Sequence, residues 1–270
     1  MAGCARPDPW RRAKRRCLDL GTVRIFVAGA TGVIGARLVP LLVADGHEVA
    51  GMTRSADKTG LLADLGAEPV VCDVFDADAL THAVVSFAPD VVFHQLTDLP
   101  DSVTNLAAYG HRNDRMRSEG TRNLLAAAAA ARAGRVIAQS ISWELPSASR
   151  RAVTAAHERA VVQAGGVVIR YGKLYGPGSY YPGDPPGPPR IHVDDAARQT
   201  LPALAAPAGV TIVVDDRAVG SVPDGRTGAT GRSVRLAGGL LPDRHVPLAL
   251  RIACLGVARA GLASCPRPRA

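Results

Sequence analysis

Short runs of apolar residues, many of them β-branched, alternate along the chain with stretches in which apolar positions return every three or four residues. The first run is Val23–Ala28. Unbroken apolar character over so few residues predicts a strand covered on both faces. Behind it, Val33–Ala44 repeats apolar positions at helical spacing and stops at Asp45-Gly46. The alternation continues with strands at Glu48–Thr53, Pro69–Cys72, Val91–His94, Arg135–Ala138 and Val167–Arg170. Between them lie helical patterns at Ala56–Leu65, Asp76–Phe87, Arg115–Arg132 and Ala152–Ala164. Gly66 and Gly134 follow two of these as stops, and Asp76 has the position and chemistry of an N-cap. Strands separated by helices of this length pair in parallel through right-handed crossovers. The expected fold class is α/β, a doubly wound parallel sheet.

The two ends break the pattern. Residues 1–22 show no periodicity, and residues 217–270 are rich in Arg, Gly and Pro, with only Val246–Leu262 spaced like a helix. The expected organisation is a poorly packed basic extension (1–22), a nucleotide-binding domain (23–216) and an irregular tail (217–270). Charge follows the same division. The chain carries a net +8, but residues 1–24 account for +5 and residues 217–270 for +7, while 25–216 is at −4. The globular body is mildly acidic, so a basic groove for nucleic acid is not expected. Five cysteines without any CxxC pair suggest neither a disulfide framework nor a metal site, and a cytoplasmic setting is expected. No stretch approaches the roughly 18 apolar residues of a membrane span.

The turn after the first strand reads Gly29-Ala30-Thr31-Gly32-Val33-Ile34-Gly35, glycines at spacing GxxGxxG between a strand and a helix. Gly29 leaves the strand in a turn that a side chain would obstruct. Gly32 lets the backbone approach a pyrophosphate, whose charge meets the amide groups at the helix N-terminus, and Gly35 lets helix and strand pack closely. In this context the triplet is a dinucleotide fingerprint, so a Rossmann fold is expected. The second strand ends Met52-Thr53-Arg54-Ser55, with Lys58 nearby. An Arg at that point suits the 2′-phosphate of NADP, where an acidic residue would suit NAD. NADP is the preferred cofactor and NAD the alternative.

Taken with five further segments, this turn resembles the NAD-dependent epimerase/dehydratase family, the extended group of the short-chain dehydrogenases/reductases. Cys72-Asp73-Val74 is similar to the family's adenine-contacting step. His94-Gln95-Leu96 sits where its fourth strand lines the cofactor. Gly120-Thr121-Arg122-Asn123-Leu124-Leu125 is similar to its G-T-x-N-L-L helix. Arg170-Tyr171-Gly172 through Tyr175-Gly176-Pro177-Gly178 resembles the segment beside the nicotinamide, and Ile191–Ala197 its "hvdDva" segment. The resemblance covers about residues 23–215. It implies a cofactor site of Gly29, Thr31, Gly32, Val33, Ile34, Gly35, Arg54, Asp73, Val74, Gln95, Leu96 and Tyr171.

The departures fall on the chemistry. The family uses a Tyr-x-x-x-Lys couple, in which the ammonium lowers the tyrosine pKa so that its phenol exchanges a proton near neutrality. No Tyr-x-x-x-Lys exists here. Counting back from Glu158, which resembles the family's glutamate, the two positions hold Arg150 and Thr154, and the family's active-site Asn is replaced by Arg117. A serine remains after the fifth strand, at Ser140 or Ser142, and Ser140 is the candidate catalytic residue as a substrate-orienting hydroxyl. Tyr171 and Tyr175 are candidates for a relocated phenol or for packing. His94 reads as a satisfied strand-end histidine, and Asp194-Asp195 as a helix cap rather than a metal pair. The segment between Pro177 and Arg190 is short and proline-rich, which implies a reduced C-terminal substrate lobe with little room for a nucleotide-sugar. The expected function is that of a dinucleotide-binding, oxidoreductase-like protein acting on an unknown small molecule by unusual residues. A non-catalytic NADP-binding sensor and a decayed copy are the alternatives, and self-association into a homodimer stays open.

Overall fold

The structure, a computed structural model, describes residues 21–100, 105 and 108–215. The extension up to residue 20 and the tail with its Val246–Leu262 helix lie outside the described residues. Seven parallel strands form one sheet: β1 (Arg24–Ala28), β2 (Glu48–Thr53), β3 (Glu68–Val71), β4 (Val91–His94), β5 (Arg135–Ile141), β6 (Val167–Tyr171) and β9 (Gly209–Val213). Their order is β3-β2-β1-β4-β5-β6-β9. The order reverses between β1 and β4, which opens a crevice at the carboxyl ends of these two strands. β7 (Lys173–Tyr175) and β8 (Arg190–His192) form a separate parallel pair flanking the proline-rich segment.

The apolar runs behave as the pattern requires. In β1, Ile25 and Val27 face one layer of helices and Phe26 and Ala28 the other, all four fully buried. On the first face lie α1 (Gly35–Ala44), through Leu38 and Leu42, and α7 (Val193–Thr200), through Ala196. On the second lie α3 (Ala77–Phe87), through Leu80 and Val84, and α5 (Thr121–Ala130), through Leu124 and Ala127. Each fully buried large apolar side chain contributes roughly 1.5–3 kcal/mol. Asp76 caps α3 as expected, its side chain accepting from the Ala79 amide at 3.0 Å.

Several boundaries differ from the sequence reading. The helix expected at Ala56–Leu65 is a 3-10 turn, Ala56–Lys58, followed by the short α2 (Thr59–Asp64). α6 (Ala148–Gln163) begins four residues before the expected Ala152, because Ser147 caps it by accepting from Arg150 N. The helix expected from Arg115 begins earlier, at α4 (Gly110–Arg115), and passes through a π turn, Met116–Gly120, before α5. The cap of α7 is His192, whose Nδ1 accepts from the Asp194 amide; the Asp194-Asp195 pair occupies the first turn instead. There Asp194 binds Arg37 of α1 at 2.7 Å.

Candidate functional site

After β1 the chain turns at the carboxyl edge of the sheet. Gly29 takes a φ of +89°, and a Cβ there would stand 2.6 Å from the Gln95 carbonyl oxygen. On Gly35 a Cβ would stand 2.2 Å from the Gly29 carbonyl oxygen. The outer two glycines are therefore demanded by the fold itself. Gly32 differs: its Cβ would meet only Gly29 O, at 3.2 Å, and the residue borders open space. No side chain caps α1 and its first turn holds no acidic residue. A cradle of this kind, with positive backbone amides and no resident anion, fits a pyrophosphate.

A cavity of about 800 Å³ opens beside the turn. Gly32, Val33 and Ile34 border it after β1, His94, Gln95 and Leu96 at the end of β4, Gln139 and Ser140 on β5, and Tyr171 at the end of β6. Gln95 is buried and lies near the Tyr171 hydroxyl, yet neither its amide oxygen nor its nitrogen completes a hydrogen bond of normal geometry. An orphaned amide on the wall is a second feature suited to a polar ligand. Among the sequence-derived cofactor residues, Gly29, Thr31, Gly35, Arg54, Asp73 and Val74 are not part of its lining. The Thr31 hydroxyl faces that of Thr53 at 3.4 Å at the end of β2. Asp73 is exposed after β3 and accepts from the Phe75 amide at 3.0 Å, while the Val74 carbonyl accepts from Asn123 at 3.0 Å. Arg54 is exposed and reaches the buried Asp98 at 3.4 Å, a carboxylate that also receives Arg112 at 3.0 Å.

The opposite wall carries the departures. Arg150 and Thr154 lie one turn apart on α6, and the Thr154 hydroxyl donates to the Arg150 carbonyl at 2.9 Å. Thr154 accepts from Arg117 Nη1, also at 2.9 Å. Arg117 sits in the π turn, a local helix distortion common where a side chain is re-aimed for function. Burial lowers the affinity of Arg117 for its proton, and the nearby Asp114 and Glu158 carboxylates oppose that without pairing with it. Arg150 has its Nε 3.8 Å from Asp114.

The remaining polar groups are committed elsewhere. Ser140 donates to Glu158 at 2.5 Å, and Glu158 also receives the forked guanidinium of Arg170. Burial pushes the Glu158 carboxyl up, but the bonds from Arg170 and Ser140 outweigh it and hold the group below the usual range. With its proton given to Glu158, Ser140 is left able only to accept. The Thr200 hydroxyl donates to the Ala196 carbonyl, so the Tyr171 hydroxyl must donate to Thr200. Burial pushes that phenol up to about 12, only partly opposed by the Thr200 hydroxyl and the nearby Gln95 amide. Tyr175 donates to Asp215 at 2.9 Å. His94 and His157 share the Thr121 hydroxyl at 3.0 and 2.7 Å. His94 Nδ1 accepts from Leu96 N, and His157 Nε2 meets the Gln139 carbonyl. These ends fix one direction: His94 Nε2–H donates to Thr121, which donates to His157 Nδ1. Burial, with the charges of His157 and Arg117 adding, pushes His94 down to about 3, and burial lowers His157 as well. Both are neutral near pH 7.

Residues 25–148 match the NAD dependent epimerase/dehydratase family. A 3-diazoavenalumate denitrifying reductase from a Streptomyces species is 37% identical over 242 residues, covering 77% of this chain and 74% of that protein. The chain belongs to the NAD-dependent epimerase/dehydratase family. Solved structures agree in fold. The UDP-glucose 4-epimerase of Thermus thermophilus, in complex with NAD, has TM-score 0.58 at 22% identity, covering 71% of this chain and 77% of that one. A short-chain dehydrogenase from Burkholderia cenocepacia, in complex with NADP, has TM-score 0.59 at 21% identity, covering 72% and 88%. Against the epimerase/dehydratase pattern, three features escaped the sequence reading. Asp98 has no motif around it, His157 reads as one more helix residue, and Trp143 enters the wall from a loop without periodicity, beside Tyr180 and Tyr181 of the proline-rich segment already read as substrate-facing.

Proposed function

We propose that this chain is an NAD(P)H-dependent reductase that replaces the diazonium group of a small aromatic molecule by hydrogen, releasing dinitrogen. The observation that carries this reading is that the two α6 positions where the family's pattern places its phenol and ammonium hold Arg150, which borders the cavity beside the dinucleotide turn, and Thr154. Reduction of a carbonyl leaves an alkoxide that must be protonated, which is why the family's phenol and ammonium stand together. Arg150 and Thr154 put a guanidinium and an aliphatic hydroxyl in place of that couple, groups that do not exchange a proton near neutrality. The Tyr171 proton points to Thr200, away from any such task. Denitrification of a diazonium carbon makes no such demand. With a reduced nicotinamide bound, the chemistry it would supply is a hydride equivalent that replaces N₂ on that carbon: the C–N bond would break, N₂ would leave and a C–H bond would form, the positive charge being left on the oxidised cofactor. Atoms, electrons and charge balance without a proton from the protein. The reductase relative, similar over most of both chains, supports this choice of substrate group.

The cofactor is held by the Gly29–Gly35 turn and the α1 amides, with Gln95 and Leu96 beside it and Asp73 and Val74 toward its adenine end. When bound in reduced form it supplies the hydride. Arg54, with Lys58 exposed nearby, favours the 2′-phosphate of NADP, although Asp98 shares the guanidinium. Ser140 offers an acceptor oxygen that orients a substrate N–H or O–H.

The test follows NADPH oxidation and dinitrogen release with 3-diazoavenalumate, against an enzyme-free control. One N₂ per NADPH is expected. Tight NADPH binding with no oxidation above the control would leave the non-catalytic sensor as the better reading.

A further inference from the structure

The cavity is positively charged inside an acidic body. Among the described residues its wall carries Arg117, Arg150 and Lys173 against one carboxylate, Asp114, whereas residues 25–216 as a whole are at −4. Arg117 is the unusual member. Its guanidinium is largely buried, its hydrogen bond goes to the neutral Thr154 hydroxyl, and no carboxylate comes within ion-pair distance of it among the described residues. A largely buried cation that no carboxylate contacts is poorly compensated, and an anionic ligand would complete it. Arg150 stands one helical turn from Thr154 on the same wall and leans on Asp114 at a loose 3.8 Å. Around this pair the lining turns apolar and aromatic, with Leu99, Trp143, Leu145 and Tyr180.

We propose that Arg117, assisted by Arg150, binds the carboxylate of the substrate, which is a conjugated or aromatic organic acid. The anion supplies the counter-charge that Arg117 lacks, and the planar body lies against Trp143 and Tyr180. Asp114 opposes the anion but also tethers Arg150, so the cavity keeps a net positive potential that gathers acids and rejects cations. This inference rests on the reading of the cavity as the substrate site. It assigns a new role to positions from which the family's proton machinery is missing.

Equilibrium titration of the full chain saturated with NADP tests it, using 4-hydroxycinnamate and its methyl ester as probes. Charge-assisted hydrogen bonds lost to the neutral ester predict ~10–100-fold tighter binding of the acid. Raising the salt should weaken the acid alone. Arg117→Met should erase the preference and Arg117→Lys restore part of it, with NADPH affinity unchanged in both. Equal binding of acid and ester to the unaltered protein, or a preference that survives Arg117→Met, overturns the proposal. Should Arg117→Met fail to fold, the acid–ester comparison on the unaltered protein and on Arg150→Met decides. Acid selectivity without diazo reduction would keep this site and remove the proposed reaction; reduction without acid selectivity would do the reverse.

Discussion

Arg117 donates to the Thr154 hydroxyl at 2.9 Å, and Thr154 stands where the family's pattern places the lysine of its catalytic couple. A cation has returned to that point from a different helix, through the π turn at Met116–Gly120. Where the family's pattern places the phenol, one turn earlier on α6, this chain carries Arg150.

Ordinary carbonyl reduction should therefore be slow. Loss of positioned acid–base catalysis costs ~10²–10⁴-fold, and NADPH oxidation against a panel of aldehydes and ketones measures it. Tyr171→Phe should leave any residual rate unchanged, since that hydroxyl is engaged with Thr200. Turnover on the order of 1–10³ s⁻¹ that vanished in Tyr171→Phe would place the proton donor on β6 and contradict this account.

Two glycines of one turn should fail in different ways. Gly35→Ala puts a methyl 2.2 Å from the Gly29 carbonyl and should destabilise the fold, by roughly 1–3 kcal/mol or more. At Gly32 an added Cβ meets only one atom, at 3.2 Å, so in Gly32→Val the melting temperature should hold while dinucleotide affinity collapses. Thermal melts paired with NADPH titration separate the two. Retained NADPH affinity in a folded Gly32→Val protein would put the ligand elsewhere.

Arg54→Ala should narrow the preference for NADPH over NADH. The side chain is 55% exposed and already shares Asp98, so solvent and that carboxylate reduce its effect to ~3–10-fold. Asp98→Asn should strengthen NADPH binding by freeing the guanidinium. Fluorescence titration of both cofactors reads the ratio, and an Arg54→Ala protein with unchanged selectivity would show that the 2′ position is recognised by other groups.

Acidification should destabilise the protein below pH 6.5. In the unfolded chain each histidine takes up a proton near 6.5, whereas folded His94 stays neutral down to about 3 and His157 is lowered too. His47, lowered by burial, adds in the same direction. Unfolding thus consumes protons between those limits, and stability falls with pH by up to about 1.4 kcal/mol per unit for each such proton. Melting curves at pH 7 and pH 5 test the sign, and His94→Gln should shallow the slope. A flat profile over that range would mean the histidines are solvated in the fold. Thr121→Val removes the hydroxyl between the two rings and should cost about 1–3 kcal/mol, seen as a lower melting temperature at pH 7.

Local order carried most of the fold. β-Branched runs such as Val91–His94, the Asp76 cap and the Gly29–Gly35 turn each act within a few residues, so their signals survive in a linear string. The parallel direction of the strands followed from the same pattern, since helical crossovers of this length join parallel strands, whereas the pairing of β1 with β4 came only from the structure. The start of α6 was misread because Ala148–Arg151 have no apolar stripe, and only the Ser147 cap sets that end. The short strands β7 and β8 were missed for a similar reason: three residues each are too few for a period to show.

The sequence by itself determined the doubly wound sheet, the dinucleotide turn and the absence of a Tyr-x-x-x-Lys couple, because these depend on residue type and near spacing. Only the tertiary structure decided what replaces the couple. Arg117 and Thr154 lie 37 positions apart, Ser140 and Glu158 18, and Arg54 and Asp98 44. Whether a buried polar group finds a partner depends on which distant side chain packing brings within about 3 Å. That distance is set by the crossing of helices over the sheet, not by any period along the chain.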